Sequence, residues 1–368
     1  MINGNNFNTK LSTPRILIAP LDWGLGHATR CIPIIKDLIN EDCEVLIAAD
    51  NSLKLLLKKE FPQCFFVPII GYKIKYSRNG KRLHSKLLFQ LPKIIFSVWK
   101  ENRWLKKIVN EYKIDAIISD NRFGLYNKRI LSVYMTHQLY IKAGNRFSEK
   151  LAQQIHNYFI RKYNICWVPD FEENGLAGNL SHPKNKPSNV AYIGPLSRFE
   201  KLNTINLKYE LLISLSGPEP QRTIFEKIIL TQLATFKSNI LLVRGLPYEN
   251  EKIKPPGNSI EIVNHLSAQE LNIAFQQSEM IISRSGYSTI MDLVKLGKNA
   301  ILVPTPGQGE QEYLAEYLMK KNFFYSIPQK NFSLNRAIAE AKNFRFIKKV
   351  FAENDYKKII REFILLLK

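Results

Sequence analysis

Apolar and polar positions alternate along the chain in two modes. Short runs of Ile, Val, Leu and Ala are followed, again and again, by longer stretches in which apolar residues recur three and four positions apart. A run that is apolar at every position predicts a strand buried on both faces, as in a parallel sheet, and the stretch after it predicts the covering helix. Strands so predicted in the first half are 15–19, 44–48, 65–68, 115–119, 131–134 and 165–168. A second series follows at 209–214, 240–243, 260–263, 280–282 and 300–303. The Pro- and Gly-containing stretch 194–206 separates them, which predicts an α/β protein of two doubly wound, Rossmann-like units facing a central cleft, 15–196 and 207–345. Residues 1–14, Asn-rich and polar, are expected to be disordered. Residues 346–368, apolar at Phe351, Tyr356, Ile359, Ile360, Phe363, Leu366 and Leu367, lie beyond the second sheet and are expected to pack as a closing helix.

Composition narrows the class. The 368 residues are 45% hydrophobic, which excludes a disordered chain, a collagen and a disulfide scaffold. Cys31, Cys43, Cys64 and Cys166 form no CxxC pair, the usage of a reduced, cytoplasmic protein with no zinc site. No apolar run reaches the ~18 residues of a membrane span, and the start lacks a signal-peptide core.

In doubly wound sheets ligands lie beyond the carboxyl ends of the strands, so chemistry is sought in the turns that follow them. The first strand runs into a turn with Gly24, Gly26 and His27, whose glycines let the backbone approach a ligand at a helix N-terminus. His27 has the proton affinity suited to acid–base work near neutrality. Asp120 ends the fourth strand; on the same rim it would fix the tautomer of His27, and its alternatives are a salt bridge to Arg122 or a cap.

The second unit is richer in such turns. Ser216 and Gly217 follow its first strand. Ser285, Gly286, Ser288 and Thr289 put hydroxyls and amides at one helix start, which suits an anionic diphosphate. Asp292 lies one turn beyond Ser288, placed to accept from ribose hydroxyls, and Glu310 and Gln311 follow the last strand, placed for sugar hydroxyls. No DxD motif occurs, so no metal or other cofactor is expected.

The stretch from Ile281 through Ser285, Gly286 and Asp292, then Leu302, Val303, Pro304 and Gln311, resembles the donor-binding region of glycosyltransferase family 28. Gly24, Gly26 and His27 are similar to that family's first turn, and Thr136, His137 and Gln138 with Gly144, Asn145 and Arg146 to its acceptor loop. The resemblance implies the GT-B fold and a nucleotide-diphosphate sugar, a UDP-sugar, held by the C-terminal unit. It also implies an acceptor on the N-terminal unit, lipid-linked or part of the cell envelope. By position it assigns the diphosphate to Ser285, Gly286, Ser288 and Thr289, the ribose to Asp292, the sugar to Gln311 and the base to Ile262 and its neighbours. The turn from Gly24 through Arg30 to Cys31 also resembles nucleotide-sugar hydrolases of the same superfamily, which leaves water as an alternative acceptor.

The net charge of +21 raises a further alternative, a nucleic-acid-binding protein. No nucleic-acid-reading motif accompanies it, so that partner is not expected. Residues 71–113 hold twelve Lys and Arg against two Glu, +10 of the +21, interleaved with an apolar set that includes Trp99 and Trp104. One reading has Lys86, Trp99, Arg103, Trp104, Lys106 and Lys107 face an anionic membrane or the acceptor, on the inner face of the plasma membrane; the other is a core helix whose Lys and Arg are simply solvated.

Overall fold

The computed structural model describes residues 13–22, 25–69, 83–141, 146–247, 249–349 and 355–367. The Asn-rich start, Gly24, the end of the acceptor loop at 142–145 and Phe351 lie outside them.

The first sheet is built from β1 (Arg15–Pro20), β2 (Glu44–Ala48), β3 (Phe65–Val67), β4 (Ala116–Asp120), β5 (Leu131–Met135), β6 (Ile165–Val168) and β7 (Val190–Tyr192). Their order is β3-β2-β1-β4-β5-β6-β7, every pair parallel. Ile16, Leu17, Ile18 and Ala19 are each fully buried because helices cover both faces of the sheet. Successive side chains serve different cores: Ile16 and Ile18 join one cluster, Leu17 and Ala19 the other. Helices α1 (Leu25–Asn40), α2 (Asn51–Glu60), α3 (Leu83–Tyr112) and α4 (Arg146–Ile160) make the crossovers.

The second sheet repeats the plan with β8 (Tyr209–Ser214), β9 (Ile240–Val243), β10 (Ile260–Val263), β11 (Ser278–Ser283), β12 (Asn299–Leu302) and β13 (Tyr325–Ser326), ordered β10-β9-β8-β11-β12-β13 and all parallel. Helices α5 (Gln221–Leu233), α6 (Ala268–Gln276), α7 (Tyr287–Leu296), α8 (Gly309–Lys320) and α9 (Leu334–Lys342) cover it. α6 opens with a capping box, Ser267 accepting from the Glu270 amide while Glu270 accepts from the Ser267 amide. α7 stops at Gly297, whose φ of 64° costs a residue without Cβ little.

Two expectations are corrected. The closing helix is shorter than 346–368: α10 (Asp355–Leu365) packs on the first unit, with Phe363 edge-on to Trp167 at 5.3 Å and Arg361 paired with Glu41. Residues 346–349 are held by side-chain and backbone contacts instead of by a helix: Phe346 packs edge-on against Phe344, the Ile347 amide bonds the Asn322 carbonyl, and Lys349 donates to the Glu173 and Asn174 carbonyls. Second, Trp104 does not share the exposed face of α3. Val98, Leu105, Ile108 and Val109 form the buried stripe of that helix, and Trp104 packs half-buried beside it. Ile95, Phe96, Trp99, Arg103, Lys106 and Lys107 are exposed, and the Arg103 guanidinium lies over the Trp99 ring at 4.8 Å. Lys86 lies in the same helix.

Candidate active site

Strand order reverses between β1 and β4, and Pro20 pairs with Asp120 at their carboxyl ends, so the crevice expected of a doubly wound sheet opens there. The start of α1 brings His27 over that crevice. Its Nδ1 lies 2.9 Å from Asp120 Oδ2. Arg30, one turn along α1, donates from Nε to both Asp120 oxygens at 2.9 and 3.0 Å, and its Nη2 also bonds that carboxylate. Asp120 is fully buried and Arg30 nearly so. Burial works against the Asp120 charge, but Arg30 and His27 hold the carboxyl below its ordinary range. His27 is pushed down, by burial first and the Arg30 guanidinium second, with Asp120 opposing. The alternative partner for Asp120 is excluded: Arg122 pairs with Glu101 at 2.8 Å.

The network crosses the cleft. Arg30 Nη1 lies 3.0 Å from His137 Nδ1, and His137 Nε2 lies 2.8 Å from Glu310 Oε1 at the start of α8. Gln138 bonds the same Glu310 carboxylate. His137 stacks on Tyr287 at 4.2 Å, and the Tyr287 hydroxyl donates to the Pro169 carbonyl. Ser288 donates to the Gly26 carbonyl at 3.0 Å, and a Cβ on Gly26 would meet Ser288 Oγ at 3.1 Å. Tyr317 donates to the Gly175 carbonyl, and Tyr313 accepts from the Asn179 amide. The N-terminus of α7 thus stands directly over the first turn of the other unit.

A buried arginine organises the second unit's turns. Arg284 donates to the carbonyls of Gln221, Val303 and Pro304 and lies over Phe225, so one guanidinium fastens the ends of β11 and β12 to the start of α5. Burial lowers its affinity for its proton to about 10, still charged at neutrality. Gly217, at φ 104°, faces Thr305 across this rim, a Cβ there coming 3.5 Å from Thr305 Oγ1.

The family comparisons agree with this geometry. Residues 222–360 match the glycosyltransferase family 28 C-terminal domain. An uncharacterized glycosyltransferase of Methanosarcina acetivorans is 24% identical over 84% of this chain and 84% of its own. The UDP-N-acetylglucosamine–N-acetylmuramyl-(pentapeptide) pyrophosphoryl-undecaprenol N-acetylglucosamine transferase of Rickettsia canadensis is 22% identical over 84% of this chain and 85% of its own. The chain is a glycosyltransferase, and its C-terminal unit is similar to family 28. Its fold is GT-B: the glycotransferase of kitacinnamycin superposes with a TM-score of 0.66 at 13% identity, over 96% of this chain and 95% of that one.

Several of the expected residues are engaged within the protein itself. Ser285 is buried and donates to the Gln311 carbonyl, so its hydroxyl fixes α8 to α7. The Gln311 amide is taken by its own turn, accepting from the Thr305 amide at 3.0 Å and donating to Gln308 at 2.5 Å. Asp292 is buried rather than solvated: Ser197 donates to it at 2.6 Å and Arg198 stands 3.9 Å away, both from the connection between the two units. Burial raises the Asp292 carboxyl to about 6, against Arg198 and Ser197. Ile262 packs on the second core from edge strand β10, on the same face as Ile260. Gly286, Ser288 and Thr289 stand at the mouth of α7, partly exposed, with open space where a Gly286 Cβ would lie, and Ser216 and Gly217 are exposed on the rim. Sequence reasoning left Arg30, Tyr287 and Arg284 without roles, and the only signal for Arg30 was its place one turn after His27. Among the described residues no group of three His, Cys, Asp or Glu is placed to hold a metal, and no helix is long and apolar enough to cross a membrane.

Proposed function

We propose that this glycosyltransferase moves a sugar from a uridine-diphosphate donor to an acceptor hydroxyl with inversion. The observation that carries the reading is the His27–Asp120 pair at the strand-order reversal, facing the α7 N-terminus across the cleft. His27 takes the acceptor proton as the acceptor oxygen attacks the anomeric carbon; the bond from that carbon to the diphosphate breaks, and the diphosphate leaves with the electron pair. The amides and hydroxyls of Gly286, Ser288 and Thr289, with Ser216 and Gly217, take up the leaving charge without a metal. Asp292 serves the ribose by exchanging its Ser197 partner, Ile262 and its neighbours border the base, and Glu310 with Gln311 borders the sugar. The donor named for the Rickettsia relative supports the uridine nucleotide.

The exposed strip of Ile95, Phe96 and Trp99, flanked by Lys100, Arg103, Lys106 and Lys107 on α3, supports an acceptor met at an anionic membrane surface, lipid-linked. A nucleotide-sugar screen by thermal shift tests the donor: a UDP-sugar at a hundred times its Kd stabilises the fold by about 2.7 kcal/mol, and no response to any uridine nucleotide refutes it. Sugar release without acceptor, at the full turnover rate, would assign the enzyme to hydrolysis instead.

A further inference from the structure

His27 is held in an arrangement that its role as base does not require. Its Nδ1 has two claimants, Asp120 Oδ2 at 2.9 Å and Arg30 Nη2 at 2.8 Å. A carboxylate only accepts and a guanidinium only donates, so one nitrogen cannot satisfy both at once. With the proton on Nδ1, His27 bonds Asp120 and leaves Nε2 bare, ready for a substrate proton. With Nδ1 bare and accepting from Arg30, the proton sits on Nε2 and the ring is no base. At His137 there is no such conflict: Arg30 donates to Nδ1, so Nε2 carries the hydrogen donated to Glu310. The groups facing His27 are Arg30 from its own helix, Asp120 from β4, His137 from the turn after β5, and Glu310 from α8 across the cleft.

We propose that Arg30 is a positioning residue that decides, in competition with Asp120, which ring nitrogen of His27 holds the proton, and that His137 ties this decision to Glu310 on the second unit. The proposal rests on the reading of His27 as base. Glu310 reaches Arg30 through His137 only while the two units are together, so the proton's place on His27 follows their approach. The lowering of His27 by burial and by Arg30 accords with the geometry.

The test uses the full chain with 15N-labelled histidine, the His27 signals assigned with His27→Gln, and the transfer pH profile beside them. Arg30→Met should leave His27 in the Nδ1–H form and raise its titration midpoint by about one pH unit. The acid limb of transfer should follow, about a tenfold loss at a fixed pH on that limb. Arg30→Lys should return the midpoint toward the parent. Glu310→Gln removes a negative charge and should move the midpoint down. Opposite signs are not expected of variants that merely loosen the fold. If Arg30→Met does not fold, Glu310→Gln decides: an unchanged His27 tautomer and midpoint in that variant overturns the proposal. Full transfer by His27→Ala with the shifts as stated removes the base reading and leaves the control by Arg30. Loss of transfer in His27→Ala with an unmoved titration does the reverse.

Discussion

Asp120→Asn is the perturbation that separates a buried pair from a decorative one. Asp120 is 0% exposed, and the Arg30 side chain that grips it through both oxygens is 2% exposed. The variant keeps the shape and removes the charge, leaving the guanidinium in the interior without its counter-ion. Breaking a buried pair on one side costs about 3–5 kcal/mol, whereas an exposed pair is worth about 0.2–1 kcal/mol. The contrast exists within one sheet: Arg15 and Glu44 pair at 2.6 Å with side chains 41% and 48% exposed, so Glu44→Gln should fall in the lower range. Urea unfolding of both variants gives the two numbers at once. The double variant Arg30→Met with Asp120→Leu should recover most of the Asp120→Asn loss, since apolar residues need no counter-charge. A loss below about 1 kcal/mol for Asp120→Asn would refute the picture of a desolvated carboxylate held by Arg30.

Other outcomes follow from single positions. Burial lifts Asp292 from 3.8 to about 6, so the folded chain holds its proton longer than the unfolded one; that stability is full below pH 4 and lost as pH rises through 6. Asp292→Asn should therefore flatten the decline of stability between pH 4 and 7, by about 3 kcal/mol at its end, and an unchanged profile contradicts the burial. Gly297→Ala meets no atom within 4 Å and should cost only the about 1 kcal/mol of its left-handed φ, while Gly245→Ala would set a Cβ 2.3 Å from the Leu215 carbonyl and should cost several times more in thermal unfolding. Trp99→Glu, at a 51% exposed site on α3, should reduce sedimentation with anionic vesicles and leave donor binding unchanged, and equal sedimentation would remove that face from the membrane reading.

The parallel sheets were legible because their strands carry short apolar runs followed by helical patterns: Ile16 through Ala19 and Leu211 through Ile213 read as strands covered on both sides, and they are buried so. β7 and β13, three and two residues at sheet edges, are too short to leave a pattern. The His27–Asp120 pair followed from the rule that ligands meet strand ends. Its third member did not, because an arginine on a helix reads as solvated until a carboxylate from a strand 90 positions later is known to lie beneath it. Ser285 and Gln311 show the converse: their types suit a ligand, but in the fold they fasten α7 to α8 and brace the turn after β12. The place of Trp104 and the partner of the closing helix were not legible for one reason. An amphipathic pattern says that a face is covered, not by what, and here the first unit covers both.

The central claim is that His27 takes the acceptor proton, and the measurement closest to it is transfer by His27→Ala with donor affinity followed in parallel. The account predicts transfer reduced by about 10²–10⁴-fold with the donor bound as tightly as by the parent. Full transfer at unchanged donor affinity would contradict it.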